Sequence, residues 1–81
     1  MFYTYILVNL NGHRTYVGST SDLDRRLAEH NAGKVKSSRS YAPYKILYYE
    51  EFETLKQARD KEIFNKTTTG RRRLREIFKK V

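Results

Sequence analysis

Apolar and polar positions alternate along the first fifty residues in a way that predicts three strands. The segment FYTYILV, from Phe2 to Val8, interleaves aromatic and aliphatic residues, which is typical of a strand. Asn11-Gly12 is a hairpin signal, because a type I′ turn needs positive φ at both central residues. HRTYVGS then returns as the antiparallel partner. We predict a third strand from Tyr44 to Phe52, and because it carries little charge before Glu50 we expect it to be the central strand.

The first predicted helix follows the hairpin. Ser21 or Asp22 can cap it, and it spans DLDRRLAEHN, with Leu23 and Leu27 on one face. Gly33 suits the position after its end. The basic, serine-rich segment KVKSSRSYAPY is predicted to be a loop.

Two further helices are predicted in the last third of the chain. Thr54 and Gln57 form a capping box that begins TLKQARDKEIFNK. TTTG is expected to interrupt the helical pattern before a third helix from Arg71 to Lys80. The apolar stripe of that helix consists of Leu74, Ile77 and Phe78.

This order of elements, β-β-α-β-α-α, predicts an α+β fold with a three-stranded, mostly antiparallel sheet flanked by helices. A chain of 81 residues accommodates one domain, residues 1–81, and has no room for a second core.

Composition excludes several classes of protein. The chain has no cysteine, which excludes a disulfide scaffold, a cysteine-ligated zinc site and a thiol nucleophile. The absence of cysteine fits a reducing compartment, and we expect a cytoplasmic protein. The opening MFYTYILVNL lacks the basic start and the cleavage site of a signal peptide. No apolar run approaches the roughly 20 residues of a membrane span, so no membrane partner is expected.

The balance of charge points to a partner. Seventeen Lys and Arg residues face nine acidic ones, for a net charge of +8. On so short a chain this predicts a polyanionic partner, nucleic acid first. The alternative is a basic surface that serves only solubility.

One carboxylate occupies an unexpected helical position. Leu55, Ala58 and Glu62 share the stripe of the second helix that should meet the sheet. A half-buried carboxylate needs a partner or a metal ion. Glu62 is therefore either a functional acid or a residue at the edge of the stripe that pairs with a surface cation.

The hairpin and the first helix carry the other candidates. Arg26 and His30 lie four residues apart on one helix face, although such pairs are often simply solvated. Tyr5 and Tyr16 lie on the two arms of the hairpin as approximate cross-strand neighbours. Packing alone is an alternative explanation for both tyrosines.

Considered jointly, these residues resemble the GIY-YIG nuclease superfamily. The chain is similar to its small standalone bacterial members, which are single-domain relatives of the nuclease domain found in excinuclease and in intron homing endonucleases. The resemblance covers Tyr3 to about Lys66 and rests on YTYIL, YVGST, DLDRRLAEHN and QARDKE. Tyr3 and Gly18 are structural positions of the two motifs. Tyr3 and Thr4 depart from the Gly and Ile of the family name.

The resemblance implies a role for each candidate. Tyr5 and Tyr16 match the motif tyrosines, one of which activates or orients the attacking water. Arg26 matches the arginine that holds the scissile phosphate, and His30 a histidine that transfers or positions a proton. Glu62 matches the single carboxylate that binds Mg²⁺ or Mn²⁺.

These residue types suit phosphodiester hydrolysis. Mg²⁺ on one carboxylate keeps several waters and acts as a Lewis acid. Arg26 is expected to offer a bidentate fork to a phosphate. A tyrosine close to a cation and an arginine is expected to have a lowered pKa, which would let it act as a base.

Two basic segments are expected to contact the phosphates of the nucleic-acid backbone without recognising the base sequence. For the second of them, a solvated helix face is an equal alternative. The expected nucleic-acid-binding residues are Lys34, Lys36 and Arg39 in the loop and Arg71, Arg72 and Arg73 in the third helix.

The sequence therefore predicts a metal-dependent DNA endonuclease that takes no small-molecule substrate. We expect a monomer that acts on DNA in repair, recombination or a mobile element. The alternative is a non-catalytic nucleic-acid-binding module of the same fold. A protein adaptor that docks an acidic partner is a third interpretation.

Overall fold

The computed structural model describes residues 1–12 and 14–79, the last three by their backbone. It contains the predicted order of elements and confirms the α+β fold. The strands are β1 (Phe2–Asn9), β2 (Thr15–Thr20) and β3 (Tyr44–Phe52). The helices are α1 (Leu23–Asn31), α2 (Leu55–Asn65) and α3 (Thr68–Lys79), and a short 3-10 turn (Arg39–Tyr41) precedes β3.

The sheet is antiparallel with the order β2-β1-β3, so the expectation that the third strand is central was wrong. In β1 every residue from Thr4 to Asn9 is buried, because both faces of this strand are covered. Buried or half-buried residues alternate with exposed ones along β3, as in an edge strand. A register shift divides its apolar residues between the two faces of the sheet. Tyr44 and Ile46 pack with Leu7 on the α1 face. Tyr48 pairs with Ile6, whose side chain points to the other face.

Helices cover both faces of the sheet. Tyr5 and Leu7 of β1 pack against Leu23 and Leu27 of α1. The alternate residues point to the other face, where the Thr4 hydroxyl donates to the carbonyl oxygen of Ala58 in α2 at 2.6 Å. The chain is thus a three-layer arrangement of α1, sheet and α2 with α3. Within the described residues, no helix is long and apolar enough to cross a membrane.

Local capping sets the helix boundaries. Asp22, rather than Ser21, caps α1 by accepting the backbone N–H of Arg25 at 3.1 Å. The predicted capping box of Thr54 and Gln57 is present at the start of α2.

The third helix begins three residues earlier than predicted. The hydroxyl of Thr67 accepts the backbone N–H of Gly70 at 3.1 Å, so TTTG starts the helix instead of interrupting it. Gly70 lies against α2, where a Cβ atom would be 2.7 Å from the carbonyl carbon of Phe64. Leu74 is buried, as predicted. The side chains of Ile77 and Phe78, and residue 80, where the helix was predicted to end, lie outside what the structure describes.

Candidate active site

The side chain of Tyr5, on β1, lies across Gly18 of the neighbouring strand β2. Tyr5 pairs with Gly18 in the β1–β2 ladder, and its ring lies above that residue. A Cβ atom at position 18 would lie only 2.5 Å from Cζ of the Tyr5 ring. Real Cβ atoms do not approach so closely. The hairpin can therefore place the Tyr5 hydroxyl beyond the neighbouring strand only because residue 18 has no side chain.

Helix α1 brings two side chains to the Tyr5 hydroxyl. Nε of Arg26 donates to the hydroxyl oxygen at 3.3 Å, and Nε2 of His30 lies 3.0 Å from the same oxygen. Arg26 and His30 reach it together because they are one turn apart on the helix face that covers the sheet. His30 is 0% exposed, whereas Arg26 is half-buried.

A buried serine contacts the second nitrogen of the imidazole. Oγ of Ser38 lies 2.6 Å from Nδ1 of His30 and 3.4 Å from the carbonyl oxygen of Val35, to which its hydroxyl can donate. This arrangement favours the tautomer in which Nδ1–H donates to Ser38. Nε2 of His30 is then the acceptor for the Tyr5 hydroxyl.

Aromatic rings form the walls around this imidazole. The ring centroid of Tyr16 is 4.7 Å from that of His30, and the Tyr44 centroid is 6.1 Å away. The Tyr44 hydroxyl donates to the backbone oxygen of Ser38 at 2.7 Å. Tyr16 pairs with Leu7 and is thus diagonal to Tyr5, so the two tyrosines meet at His30 rather than opposite each other.

Burial sets the protonation states here. Desolvation raises the pKa of Tyr5 and outweighs the opposing effect of Arg26. The Arg26 guanidinium alone therefore does not lower the pKa of Tyr5 as expected, and the phenol is protonated at neutral pH. Burial first, and then the Arg26 charge, lowers the pKa of His30, so its imidazole is neutral and can accept a proton. The hydrogen bond to Tyr5 raises the pKa of Arg26, which stays charged.

One of the two Nη atoms of the Arg26 guanidinium also makes a hydrogen bond. Its Nη1 lies 3.2 Å from Oε1 of Glu29, and both side chains are about one-third exposed. With Nε on Tyr5 and Nη1 on Glu29, the Nη2 group is the first that a phosphate meets. Nη1 carries a second N–H, so the guanidinium retains donors on both Nη atoms for a phosphate.

Glu62 of α2 lies at the edge of β2. Ser19 donates from Oγ to Oε1 of Glu62 at 2.7 Å, and Lys66 donates from Nζ to Oε2 at 2.9 Å. The Glu62 side chain is 23% exposed. Its charge also raises the pKa of Tyr5, so the two groups share one electrostatic environment. The sequence allowed two interpretations of Glu62, a functional acid and a residue paired with a surface cation. Each describes part of its surroundings, since Glu62 pairs with Lys66 and also lies close enough to Tyr5 to affect its pKa.

The donor atoms around Glu62 suit a hard cation. A carboxylate and a hydroxyl are the oxygen ligands that Mg²⁺ and Mn²⁺ prefer. In the described part of the chain, no group of three His, Cys, Asp or Glu residues could hold a metal ion. A cation would therefore take Glu62 as its one carboxylate, fill its other positions with water, and displace the exposed Lys66 ammonium.

The predicted nucleic-acid-binding residues occupy different surfaces. Lys34, Lys36 and Arg39 are all exposed on the loop that also carries Ser38. Arg71, Arg72 and Arg73 are exposed on α3 but are not brought together. Arg71 lines a groove beside Tyr16, while Arg73 lies beside Phe52 on another side of the helix.

Sequence reasoning missed Ser38 and Ser19. Ser38 is one of three serines in KVKSSRSYAPY, a segment without helical or strand periodicity. Nothing in the pattern separates it from the exposed Ser37 and Ser40. Ser19 follows the motif glycine on β2. Strand alternation predicts that its side chain lies on the sheet face covered by α2, and this signal could have indicated a contact with Glu62.

Comparison with known proteins identifies the family. The family model described as the GIY-YIG catalytic domain matches residues 1–75. The chain therefore belongs to the GIY-YIG family, whose domain is a nuclease domain.

Small relatives match over nearly the whole chain. A UPF0213 protein of Clostridium perfringens is 35% identical over 99% of this chain and 86% of its own length. A UPF0213 protein of Streptococcus pyogenes is 40% identical over 93% of this chain and 83% of its length. The solution NMR structure of a UPF0213 protein from Bacillus halodurans superposes with a TM-score of 0.54 at 30% identity, and covers 95% of this chain and 85% of that one.

Proposed function

We propose that this protein is a metal-dependent endonuclease that hydrolyses phosphodiester bonds in DNA. The observation that carries the proposal is the Tyr5 hydroxyl, which is shared by Arg26 at 3.3 Å and His30 at 3.0 Å. This arrangement places the positively charged Arg26, which can bind a phosphate, beside His30, which can accept the proton of the Tyr5 phenol. Family membership supports the same chemistry.

Arg26 binds and orients the scissile phosphate. Its guanidinium is charged, half-buried and held by Tyr5, so it loses little freedom when it meets a non-bridging oxygen. Arg26 also stabilises the negative charge that develops on the phosphoryl group as water attacks. Burial, and then the charge of the same guanidinium, lowers the pKa of the neighbouring His30 and keeps its imidazole neutral.

Tyr5 and His30 form a two-step proton path. Tyr5 remains a phenol at neutral pH, so it can activate water only by passing its own proton onward as it takes one. Nε2 of neutral His30 is the acceptor, and the imidazolium that forms keeps its Nδ1–H on Ser38. After the phosphorus–oxygen bond breaks, the leaving oxygen takes a proton from water, and the proton held on His30 returns through Tyr5 to solvent, so that the charges balance.

Glu62 is the residue that would hold Mg²⁺ or Mn²⁺, with the Ser19 hydroxyl beside it. Such a cation supplies Lewis-acid stabilisation of phosphoryl and leaving oxygens when bound. The proposal further takes residues 1–81 as one catalytic domain that acts on DNA as a cytoplasmic monomer in repair, recombination or mobile-element processing.

A second candidate function follows from Lys66. Its ammonium already occupies one carboxylate oxygen of Glu62 at 2.9 Å. If a metal ion did not displace it, the chain would be a non-catalytic nucleic-acid-binding module of the same fold.

Nicking of supercoiled plasmid, together with branched and single-stranded oligonucleotides, tests the proposal. Wild type is compared with Glu62→Ala and Arg26→Ala in Mg²⁺, Mn²⁺ and EDTA. We expect metal-dependent cleavage that both variants lose. Tight binding without cleavage in any metal would favour the binding module. Activity that survives in both variants would show that the site is elsewhere.

A further inference from the structure

A second, basic groove lies on the sheet face opposite α1. It encloses about 580 Å³ between β2, the end of α2 and α3. Its cationic lining comes from three separate parts of the chain: Arg14, Lys66, Arg71 and Arg75. Ile6 and Leu74 form an apolar part of its surface, and among the described residues none that lines it is acidic.

The cations are arranged on both sides of the groove. Arg71 and Arg75 are one helical turn apart, so they share one wall of α3. Arg14 lies on the other side, at the end of the hairpin, with its guanidinium 4.5 Å from the centroid of the Tyr41 ring. That contact orients Arg14 without neutralising it. A bound anion would thus meet positive charge from both walls.

The edge strand adds neutral donors to the same groove. Thr15, Tyr16 and Val17 of β2 line it, and the outer side of β2 has no neighbouring strand in the described sheet. An edge strand presents free backbone N–H groups that can donate to anionic oxygens. Cations, backbone donors and apolar carbons together suit a ligand that alternates phosphates with sugars.

Two residues connect this groove with the candidate active site. Tyr16 lines the groove, and its ring packs on His30 at 4.7 Å between centroids. Lys66 lines it as well and donates to Glu62 at 2.9 Å. The groove therefore starts where the active site ends, at the edge of β2.

We propose that this groove binds the sugar-phosphate backbone of the nucleic-acid strand that leaves the active site. The strand passes around the edge of β2, from Arg26 on one sheet face to Arg71 and Arg75 on the other. This inference rests on the proposed function for the identity of the first site. It assigns the groove to one strand of polymer rather than to a free nucleotide.

Binding is measured by fluorescence anisotropy in EDTA, where no metal-dependent cleavage takes place. The probes are a labelled single-stranded oligonucleotide, its duplex and a labelled deoxynucleoside monophosphate. Arg71→Ala/Arg75→Ala is compared with Lys45→Ala/Arg59→Ala, which removes two charges that are also exposed but lie outside the groove. Thermal unfolding checks that both variants fold.

Loss of two phosphate contacts should reduce the slope of log K against log salt by about 1.4 for single strands and about 1.8 for duplex. We expect this in the groove variant, while the control keeps nearly the wild-type slope. An equal reduction in both variants would mean a general effect of net charge and would overturn the proposal. So would monophosphate binding as tight as that of the oligonucleotide.

Amide chemical shifts locate the contact independently of affinity. On titration with the single-stranded oligonucleotide, we expect shifts at Thr15, Val17, Leu74 and Arg75. If cleavage occurs but shifts stay confined to the side of Tyr5 and Arg26, the groove proposal fails and the nuclease stands. If these groove amides shift while no metal supports cleavage, the groove stands and the nuclease fails.

Discussion

The hydroxyl of Tyr5 lies 3.0 Å from Nε2 of His30, an imidazole with no exposed surface. The Tyr5 phenol thus lies between the buried imidazole of His30 and the side of the molecule where the proposed substrate would bind. Beyond the imidazole, Ser38 is equally inaccessible, at 1% exposure. Tyr5 is itself only 2% exposed. In the proposed reaction a proton accepted at its hydroxyl therefore moves inward along Tyr5 and His30, and it must leave by the same path.

Tyr5→Phe should nearly abolish cleavage while DNA binding is retained. The ring still fills the space above Gly18, but the hydroxyl that links Arg26 and His30 is gone. Removal of a positioned proton-transfer group typically costs about 10²- to 10⁴-fold in rate. Tyr16→Phe keeps its ring against His30 and should cost less. Single-turnover cleavage rates of both variants measure the difference, and equal losses would contradict the assignment of Tyr5 as the proton-transfer residue.

Ser38→Ala should lower kcat with little change in KM, because Ser38 positions His30 and does not reach the substrate. The variant leaves Nδ1 of a buried imidazole without its partner, which costs about 1–3 kcal/mol in the free energy of unfolding. The ¹⁵N shifts of the imidazole report the tautomer directly. In wild type we expect the Nδ1–H form, and in the variant a mixture of forms.

The exposed Ser37 provides the matched control for that experiment. Ser37→Ala removes the adjacent hydroxyl in the same loop and should leave both kcat and the His30 shifts unchanged. An imidazole in the Nε2–H form in wild type would contradict the direction of proton transfer proposed for Tyr5.

The sequence could predict the parts of this molecule that depend on local pattern. Alternation in FYTYILV and the capping box at Thr54 each act over a few residues, and both are found in the structure. The hairpin also forms, but its turn is not the predicted type I′ turn: the backbone N–H of Gly12 donates to the carbonyl oxygen of Asn9, and of Asn11 and Gly12 only Gly12 has a positive φ. Strand order is different, since it depends on which strand both helix layers cover. Low charge in β3 indicated the wrong central strand for that reason.

The candidate site shows the same division. Helical spacing is enough to put Arg26 and His30 on one face. Their meeting with Tyr5 depends on the missing side chain of Gly18, and the resemblance to a known family supplied that connection. The pKa of Tyr5 could not be predicted from neighbours in sequence, because burial outweighs the nearby guanidinium. Ser38 comes from an aperiodic loop, which no pattern resolves.

Gly18→Ala should disrupt the site through Tyr5. The added methyl would overlap the Tyr5 ring, whose displacement would break its contacts with Arg26 and His30. We expect loss of cleavage and a destabilisation of about 1–3 kcal/mol from overpacking. Urea unfolding and plasmid nicking measure the two effects.

Gly12→Ala separates this steric effect from a general cost of replacing glycine. Gly12 has a φ of +75° but nothing within 4 Å of an added Cβ. The variant should lose stability by about 1 kcal/mol and keep its cleavage rate. Full cleavage activity in Gly18→Ala would show that Tyr5 can shift without loss of function.

Glu62→Gln should remove metal binding and leave the local structure intact. The amide oxygen still accepts from Ser19, whereas the negative charge that attracts a cation and pairs with Lys66 is lost. Broadening of the Ser19 amide signal by Mn²⁺ reports binding without any activity assay. We expect broadening in wild type and in Glu53→Gln, an exposed carboxylate elsewhere, and none in Glu62→Gln. Persistent broadening in Glu62→Gln would place the cation on other ligands.

His30 should make both stability and activity depend on pH. Burial and Arg26 lower its pKa in the folded state below the ordinary value of 6.5. As pH falls below 6.5, the unfolded chain takes up the proton first, so the free energy of unfolding decreases until the folded pKa is reached. Above 6.5 the imidazole is neutral in both states, and its full contribution to stability is present. The slope within this window is at most about 1.4 kcal/mol per pH unit.

Urea unfolding between pH 5 and pH 8 measures that dependence. The chain has two histidines, so His13→Gln is the control that should keep the decrease below pH 6.5, while His30→Gln should lose it. The cleavage rate should fall over a lower range than 6.5, since the folded imidazole accepts the Tyr5 proton until its own lowered pKa is reached. If wild type and His30→Gln had parallel stability profiles, the buried imidazole would not be the titrating group. The proton path from Tyr5 would then need another acceptor.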